Sequence, residues 1–288
     1  HGTRGEAGNQ QAIEIMRAAA LQAGFEKIDF LEEPIAAAYR IEQELPEEKI
    51  ALVVDIGGGT TDICSIRLGT QKQQDYDRQQ DVLSVTGTRL GGMECDKNLI
   101  LKSIAPSMGM GTETTTGIPI PPMYFNDMVA VDDIPRLNSF FSDDTGLEIA
   151  QTMSIAREPE KLERLLMVQE EKLSARLVNS SRMAKEMLSE KPHIVLPLKY
   201  IESDYTVELT EADLRRSMIG WMARVKSLVK ECLEKSAEAP EILFITGGMS
   251  LSPIVQAEIK AMLPDLPVVT ADAFKSISEG LSIQAAKL

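Results

Sequence analysis

The residues best placed to do chemistry are an acid and a glycine run that follow one apolar strand. Residues 50–54 are apolar and rich in β-branched side chains, which predicts a buried strand. Asp55 ends this run, and three consecutive glycines begin at Gly57. Glycine tolerates positive φ and has no Cβ, so backbone N–H groups can approach an anion closely. Because a second apolar run covers residues 63–68, we expect a strand–turn–strand hairpin that binds the phosphates of a nucleotide.

Carboxylates beside this hairpin are candidate magnesium ligands, because Mg²⁺ keeps several waters and takes few protein ligands. Asp55 is the first candidate and Asp62 the second. Purely structural interpretations stay open: the glycines could form a plain β-turn, Asp55 could cap that turn, and Asp62 could form a hydrogen bond within the hairpin. The spacing excludes two commoner nucleotide motifs, since neither G-x-G-x-x-G nor a glycine-rich loop ending in Gly-Lys-Ser/Thr is present.

Five segments in order resemble the actin-like ATPase superfamily, which includes DnaK-type heat-shock chaperones, actin, bacterial filament proteins and sugar kinases. The hairpin Asp-Ile-Gly-Gly-Gly-Thr-Thr-Asp is similar to its second phosphate motif. The other four are a first connecting helix at 32–38, a Leu-Gly-Gly segment at 90–96, an adenosine motif at 244–248 and a second connecting helix at 276–286. Residues 157–161 most resemble short bacterial DnaK-like proteins of the YegD type.

The resemblance implies an α/β fold, an actin-like ATPase (ribonuclease H-like) lobe with a mixed β-sheet flanked by helices and an inserted α+β subdomain. It implies four parts: 1–48, a remnant of a first lobe with its connecting helix; 49–104 and 236–273, the nucleotide-binding core; 105–235, the insertion; and 274–288, the second connecting helix. The expected ligand is ATP or ADP with Mg²⁺.

The resemblance also implies roles for individual residues. Asp55 and Glu33 would be catalytic, Asp55 by holding Mg²⁺ through water and Glu33 by positioning water or completing the metal shell; Asp55 and Asp62 would be the metal ligands. The nucleotide-binding residues would be Gly57, Gly58, Gly59, Thr60, Thr61, Gly91, Gly92, Lys185, Ser189, Gly247, Gly248, Met249 and Leu251. Two alternatives are structural: a helix dipole also favours a carboxylate at Glu33, and Lys185 could be a solvated lysine on a charged helix.

Several positions depart from the family pattern. Family members carry Glu three residues before the lysine and Arg after it, where this chain has Arg182 and Glu186. Leu251 replaces the arginine that stacks on adenine, so we expect reduced adenine affinity and weak base selectivity, seen either as similar affinities for ADP and GDP or as no detectable binding. The sequence opens at His1-Gly2-Thr3 and runs straight into a predicted helix, without the first strand–glycine–strand hairpin of the family, so we expect a fragment with little ATPase activity of its own.

Composition excludes several classes of function. A net charge of −14 over 288 residues argues against nucleic-acid binding. No apolar run approaches the roughly 18 residues that span a bilayer. Three widely spaced cysteines and no signal-peptide pattern indicate reduced packing residues in a cytoplasmic protein.

Three functions remain as hypotheses. The first is the nucleotide-binding half of a DnaK-like chaperone ATPase, with co-chaperones or client proteins as partners. The second is an actin-like bacterial filament protein. The third is a non-hydrolysing nucleotide sensor or adaptor, motivated by Met249 and Leu251.

Periodicity and capping signals predict the other elements. We expect helices over 6–23, 35–44, 93–104 and 210–237, two charged helices within 147–188, and strands at 27–31, 82–86, 194–200, 205–209 and 242–246. Residues 105–145 are expected to be irregular, and Ser252 with Pro253 should begin a helix by capping and by the N1 preference of proline.

Overall fold

The computed structural model describes residues 5–69, 78–269 and 275–287. The chain divides into two compact units. Unit 1 consists of residues 1–92 and 221–288, and unit 2 of residues 93–220. Unit 2 thus begins and ends earlier in the chain than the 105–235 insertion expected from the sequence, and its later boundary falls inside a long helix. The lobe assignments themselves stay predictions.

Unit 1 is built on a mixed five-stranded sheet with the order β3-β2-β1-β6-β7. The strands are β1 (Lys49–Ile56), β2 (Thr61–Leu68), β3 (Val82–Thr88), β6 (Ile242–Thr246) and β7 (Val268–Val269). β1 pairs antiparallel with β2, and β2 with β3, whereas β6 lies parallel to both β1 and β7. This is the mixed sheet flanked by helices that the sequence predicts.

The helices of unit 1 are α1 (Gly5–Gln22), α2 (Glu33–Glu42), the second half of α9 (Glu211–Lys235), α10 (Pro253–Lys260) and α11 (Ser276–Ala285). Helix α2 covers one face of the sheet. Its Ile35, Ala38 and Ile41 pack in one buried cluster with Val53 of β1 and Phe244 of β6. Burial of these apolar side chains is the main stabilising contribution at this face.

Helix α11 crosses α2 at very short range. A Cβ added to Gly280 would lie 1.8 Å from the carbonyl oxygen of Ala36, so only glycine allows the two backbones to approach this closely. An ion pair between Arg40 and Glu279 joins the same two helices, with 2.5 Å between Nε and Oε2.

A buried ion network ties the end of α2 to the sheet. Arg78 donates to Glu42 at 2.7 Å and to Asp81 at 2.8 Å, and the backbone N–H of Gly69 donates to the other carboxylate oxygen of Glu42. The Arg78 guanidinium also lies over the ring of Tyr39 at 4.9 Å. The three charged groups are all buried and are held by these hydrogen bonds.

Unit 2 contains six shorter helices, a pair of strands and the beginning of α9. Its helices are α3 (Gly92–Leu99, which begins at the boundary), α4 (Pro122–Met128), α5 (Ile134–Phe140), α6 (Asp143–Ser154), α7 (Pro159–Glu170) and α8 (Ser174–Leu188), and its strands β4 (His193–Pro197) and β5 (Thr206–Thr210) pair antiparallel. α9 begins with a reciprocal cap, in which Thr210 N–H donates to Asp213 Oδ2 and Asp213 N–H donates to Thr210 Oγ1.

Four sequence expectations are wrong. Residues 27–31 form no strand; residues 105–145 are not irregular, because α4, α5 and the start of α6 lie there; and residues 147–188 belong to three helices instead of two. Pro253 does begin α10, but the Ser252 hydroxyl makes no capping hydrogen bond.

Two other findings concern packing and membranes. Cys64, Cys95 and Cys232 are buried free thiols, as predicted. Within the described ranges, no helix combines the length and apolar character needed to cross a bilayer.

Candidate phosphate and magnesium site

The candidate site lies in unit 1, at the carboxyl ends of the parallel strands β1 and β6. Asp55 is the penultimate residue of β1, and Thr246 is its register partner at the end of β6. On the other side Asp55 faces Asp62 of β2 across the antiparallel pair. The strand order therefore brings two predicted metal ligands together.

The glycine loop between β1 and β2 is held at its base and open at its tip. Gly57 N–H donates to the Thr60 carbonyl at 3.0 Å, which closes the turn. None of the three glycines has positive φ, so the expectation that glycine is needed here for a positive φ is wrong. A Cβ on Gly58 or Gly59 would meet no described atom within 4 Å. The packing of the loop therefore does not require these two glycines, and the space above them is free for a ligand.

A second glycine turn supports the loop from behind. A Cβ on Gly91 would lie 2.6 Å from the peptide between Gly58 and Gly59, and Gly92 N–H donates to the Gly57 carbonyl at 3.0 Å. The Thr61 hydroxyl donates to the Leu90 carbonyl at 2.7 Å. Gly91 and Gly92 are buried, so their observed role is to position the loop, and the Thr61 side chain serves the same purpose.

The third glycine turn closes over the end of β1. Gly247 has a φ of +79°, and a Cβ there would lie 2.4 Å from the Ile56 carbonyl oxygen and 2.6 Å from Asp55 Oδ1. Gly247 is thus required by both its backbone conformation and its close approach to the acid.

The residues that follow Gly247 divide between the interior and the surface. Gly248 is exposed, whereas the Met249 side chain is buried and could present only its backbone to a ligand. The Leu251 side chain is 60% exposed, so it offers an apolar surface where the family pattern expects arginine. Weak base selectivity stays a prediction.

Electrostatics mark Asp55 as the most perturbed acid of the site. Burial, the largest cause, and the nearby carboxylates of Glu33 and Asp62 together raise its pKa to about 7. The pKa of Asp62 is also raised, chiefly by burial, while a hydrogen bond from the Thr60 side chain acts to lower it. Glu33 is exposed at the first position of α2. Adjacent acids of this kind are held in their charged forms by a cation.

The donor set fits a hydrated magnesium ion better than a metal caged by protein. Asp55 Oδ1 is buried and accepts no hydrogen bond from the described residues. Among the described residues, no three His, Cys, Asp or Glu side chains lie close enough together to bind one metal ion directly. Mg²⁺ usually takes one or two carboxylates and completes its shell with water and phosphate oxygens, which is what these residues could provide.

Two predicted site residues lie in unit 2. Lys185 on α8 pairs with the buried Asp96, with 2.8 Å between Nζ and Oδ1. Ser189 follows α8 and donates to the Lys185 carbonyl at 3.1 Å. The Lys185 side chain is therefore held in a local ion pair and is not simply solvated. A role beside the ribose stays a prediction.

Thr246 lies within the predicted adenosine motif at 244–248, but the sequence predicts no role for its side chain. Its hydroxyl is fully buried and has no described hydrogen-bond partner. The sequence carries only a weak signal, a hydroxyl at the end of an otherwise apolar strand, and its pairing with Asp55 becomes visible only in the sheet.

This mixed sheet, with three glycine turns around a buried acid at its edge, is consistent with an actin-like ATPase fold. Comparison with known proteins supports the same superfamily. The sequence model of the MreB/Mbl protein family matches residues 8–99. Curated relatives carry the name chaperone protein DnaK: that of Thermosipho africanus (strain TCF52B) is 25% identical over 97% of this chain and 39% of its own length. That of Elusimicrobium minutum (strain Pei191) is 41% identical over 27% of this chain and 12% of its own length.

These matches support a nucleotide-binding, ATPase-like function for the chain. The chain spans 39% of the length of the Thermosipho relative.

Proposed function

We propose that unit 1 binds a magnesium nucleotide, with the phosphates on the backbone of the loop from Gly57 to Thr60 and the magnesium beside Asp55. The observation that carries this proposal is the open space over Gly58 and Gly59, next to an acid that lacks a hydrogen-bond partner among the described residues. Backbone amides in a glycine turn form a concave anion site, and no described atom lies within 4 Å of a Cβ built on Gly58 or Gly59 of this one.

The residues of the proposed site have different roles in binding. The loop amides would hold the terminal phosphates, while Gly91 keeps the loop in place from behind. Asp55 would hold water of the metal shell, and Glu33 or Asp62 would extend that shell. The bound Mg²⁺ would neutralise phosphate charge as it develops during transfer to water.

The loop proposal is tested by Gly58→Ala. We expect the affinity for ATP in the presence of Mg²⁺ to fall about tenfold or more, because the added methyl fills the space above the loop; tenfold corresponds to about 1.4 kcal/mol. Thermal stability should stay the same or rise slightly, since φ is not positive there and alanine restricts the unfolded chain. Isothermal titration calorimetry and thermal denaturation measure the two effects.

Gly220→Ala is the matched control, because a Cβ there also meets no described atom within 4 Å and the residue lies in unit 2. This variant should bind ATP like the wild type. Unchanged ATP affinity in both Gly58→Ala and Gly59→Ala would contradict the proposed phosphate site.

For the whole protein we propose a DnaK-like chaperone ATPase that hydrolyses ATP slowly and acts with co-chaperones or clients, in the cytoplasm. The DnaK relatives support this because their similarity covers 97% of the chain, including unit 2. The YegD-type subgroup and the status of the chain as a fragment stay predictions of the same proposal.

An actin-like filament protein is the second candidate, because the MreB/Mbl match covers most of α1 and the elements from α2 to the end of α3. ATP-dependent sedimentation of the protein would favour the filament. ATP-dependent release of an unfolded polypeptide, without sedimentation, would favour the chaperone.

A further inference from the structure

A row of polar side chains crosses three strands at the end of an apolar sheet face. Asp62 on β2, Asp55 on β1 and Thr246 on β6 are successive register partners. Side chains two residues apart on a strand share a face, so Asp55 lies on the same face as Val53, and Thr246 on the same face as Phe244. These apolar neighbours belong to the cluster under α2. The row is therefore the polar edge of a buried face.

Two members of the row have unsatisfied oxygens. Thr246 is 0% exposed and Asp55 is 4% exposed, and neither Thr246 Oγ1 nor Asp55 Oδ1 has a hydrogen-bond partner among the described residues. An unpaired buried hydroxyl and an unpaired buried carboxylate oxygen both cost stability. Two such atoms on directly paired residues indicate a shared ligand.

The geometry suits one bridging water molecule. The two oxygens make no direct hydrogen bond to each other, and one water between these paired residues would bond to both. Gly247 closes over the acid, since its Cα approaches Asp55 so nearly that a Cβ would lie 2.6 Å from Oδ1. That approach restricts the directions from which Asp55 Oδ1 can be reached.

We propose that Thr246 is a positioning residue for magnesium binding: its hydroxyl, through one water, orients the Asp55 carboxylate toward the metal shell. The inference rests on the proposed function, because it assigns a role within the same site. Groups that orient a metal-binding carboxylate commonly contribute 10- to 100-fold to metal affinity.

The test compares Thr246→Val, which keeps the shape and removes the hydroxyl, with Thr246→Ser, which keeps the hydroxyl. ATP binding is measured by calorimetry over a series of MgCl₂ concentrations and in EDTA. We expect Thr246→Val to need about tenfold more Mg²⁺ for half-maximal enhancement of ATP binding, with binding in EDTA unchanged. Thr246→Ser should require the same Mg²⁺ concentration as the wild type.

Stability separates this role from a packing role. Thr246→Val should leave the melting temperature of the nucleotide-free protein nearly unchanged, because valine keeps the packing of the side chain and removes the hydroxyl together with its water, so that residue 246 leaves no buried polar atom unpaired. Thr86→Val is the matched control on the same sheet, since the buried Thr86 hydroxyl donates to the Leu228 carbonyl at 3.2 Å. This control should lower the melting temperature and leave the Mg²⁺ requirement unchanged.

Two results would overturn the inference while the proposed function stands: a wild-type Mg²⁺ requirement in Thr246→Val, or equal increases in the valine and serine variants. If the wild-type protein shows no Mg²⁺-dependent ATP binding, the proposed function fails and the inference fails with it.

Discussion

At the residue scale, the central feature is an acid that the fold stabilises in its neutral form. Asp55 is buried beside two other carboxylates, and its pKa is raised to about 7. Between about pH 4 and pH 7 the folded state retains a proton that the unfolded chain has lost. Stability should therefore fall as the pH rises through this window and remain lower above it.

Asp55→Asn should remove this pH dependence. At about pH 8 we expect the nucleotide-free variant to be more stable than the wild type by on the order of a few kcal/mol, because asparagine carries no buried charge. The difference should disappear as the pH falls below about 4, where Asp55 becomes protonated in both states. Urea denaturation across the pH range measures it, and the same variant should lose Mg²⁺-dependent ATP binding.

Asp265→Asn is the control for this prediction, since Asp265 is exposed and the change in formal charge is identical. Its stability should follow the wild-type pH profile. Parallel profiles for wild type and Asp55→Asn would show that Asp55 titrates in the folded protein as it does in the unfolded chain.

The sequence predicts the acids and glycines of the site better than it predicts their surroundings. Asp55 and the loop glycines are recognisable because strand, acid and glycine run are adjacent in the chain. Thr246 lies far away in sequence and becomes a neighbour of Asp55 only through the parallel pairing of β6 with β1. The burial of Met249 and the bond from Thr61 to Leu90 likewise depend on tertiary packing.

At the element scale, the crossing of α2 and α11 depends on one missing side chain. Gly280→Ala should destabilise the protein by about 1–3 kcal/mol, because its Cβ would overlap the Ala36 carbonyl and force the helices apart. Urea denaturation measures the loss.

Gly220→Ala again supplies the comparison. Gly220 lies inside α9 with no described atom within 4 Å of an added Cβ, so alanine should stabilise the helix by up to about 1 kcal/mol. If Gly280→Ala also stabilises the protein, helix propensity outweighs the proposed clash.

Element prediction succeeded where one signal dominated. β1, β2 and β6 have long apolar runs, and α9 has both periodicity and a cap. The short helices α4 and α5 were missed because each has seven residues and begins beside prolines, which also mark loops. Residues 27–31 have strand-like composition but no ladder partner, and only the assembled sheet determines which segments pair.

At the scale of the whole molecule, the candidate phosphate site is contained in unit 1 although its parts are spread along the chain. Mg²⁺ with ATP should therefore slow amide hydrogen exchange at residues 56–62, 90–92 and 246–252. Exchange in β4 and β5 of unit 2 provides an internal reference. Slower exchange confined to unit 2 would place the nucleotide elsewhere.

The sheet also imposes an order on biosynthesis. β1 and its parallel partner β6 are separated by all of unit 2, since Ala51 pairs with Ile242. At ordinary translation rates, β1 would emerge from the ribosome about 10 to 40 s before β6. Until then the nascent β1–β3 meander has an uncovered hydrogen-bonding edge, and such an edge can recruit other chains. The half-synthesised sheet is therefore the form of this protein most exposed to aggregation.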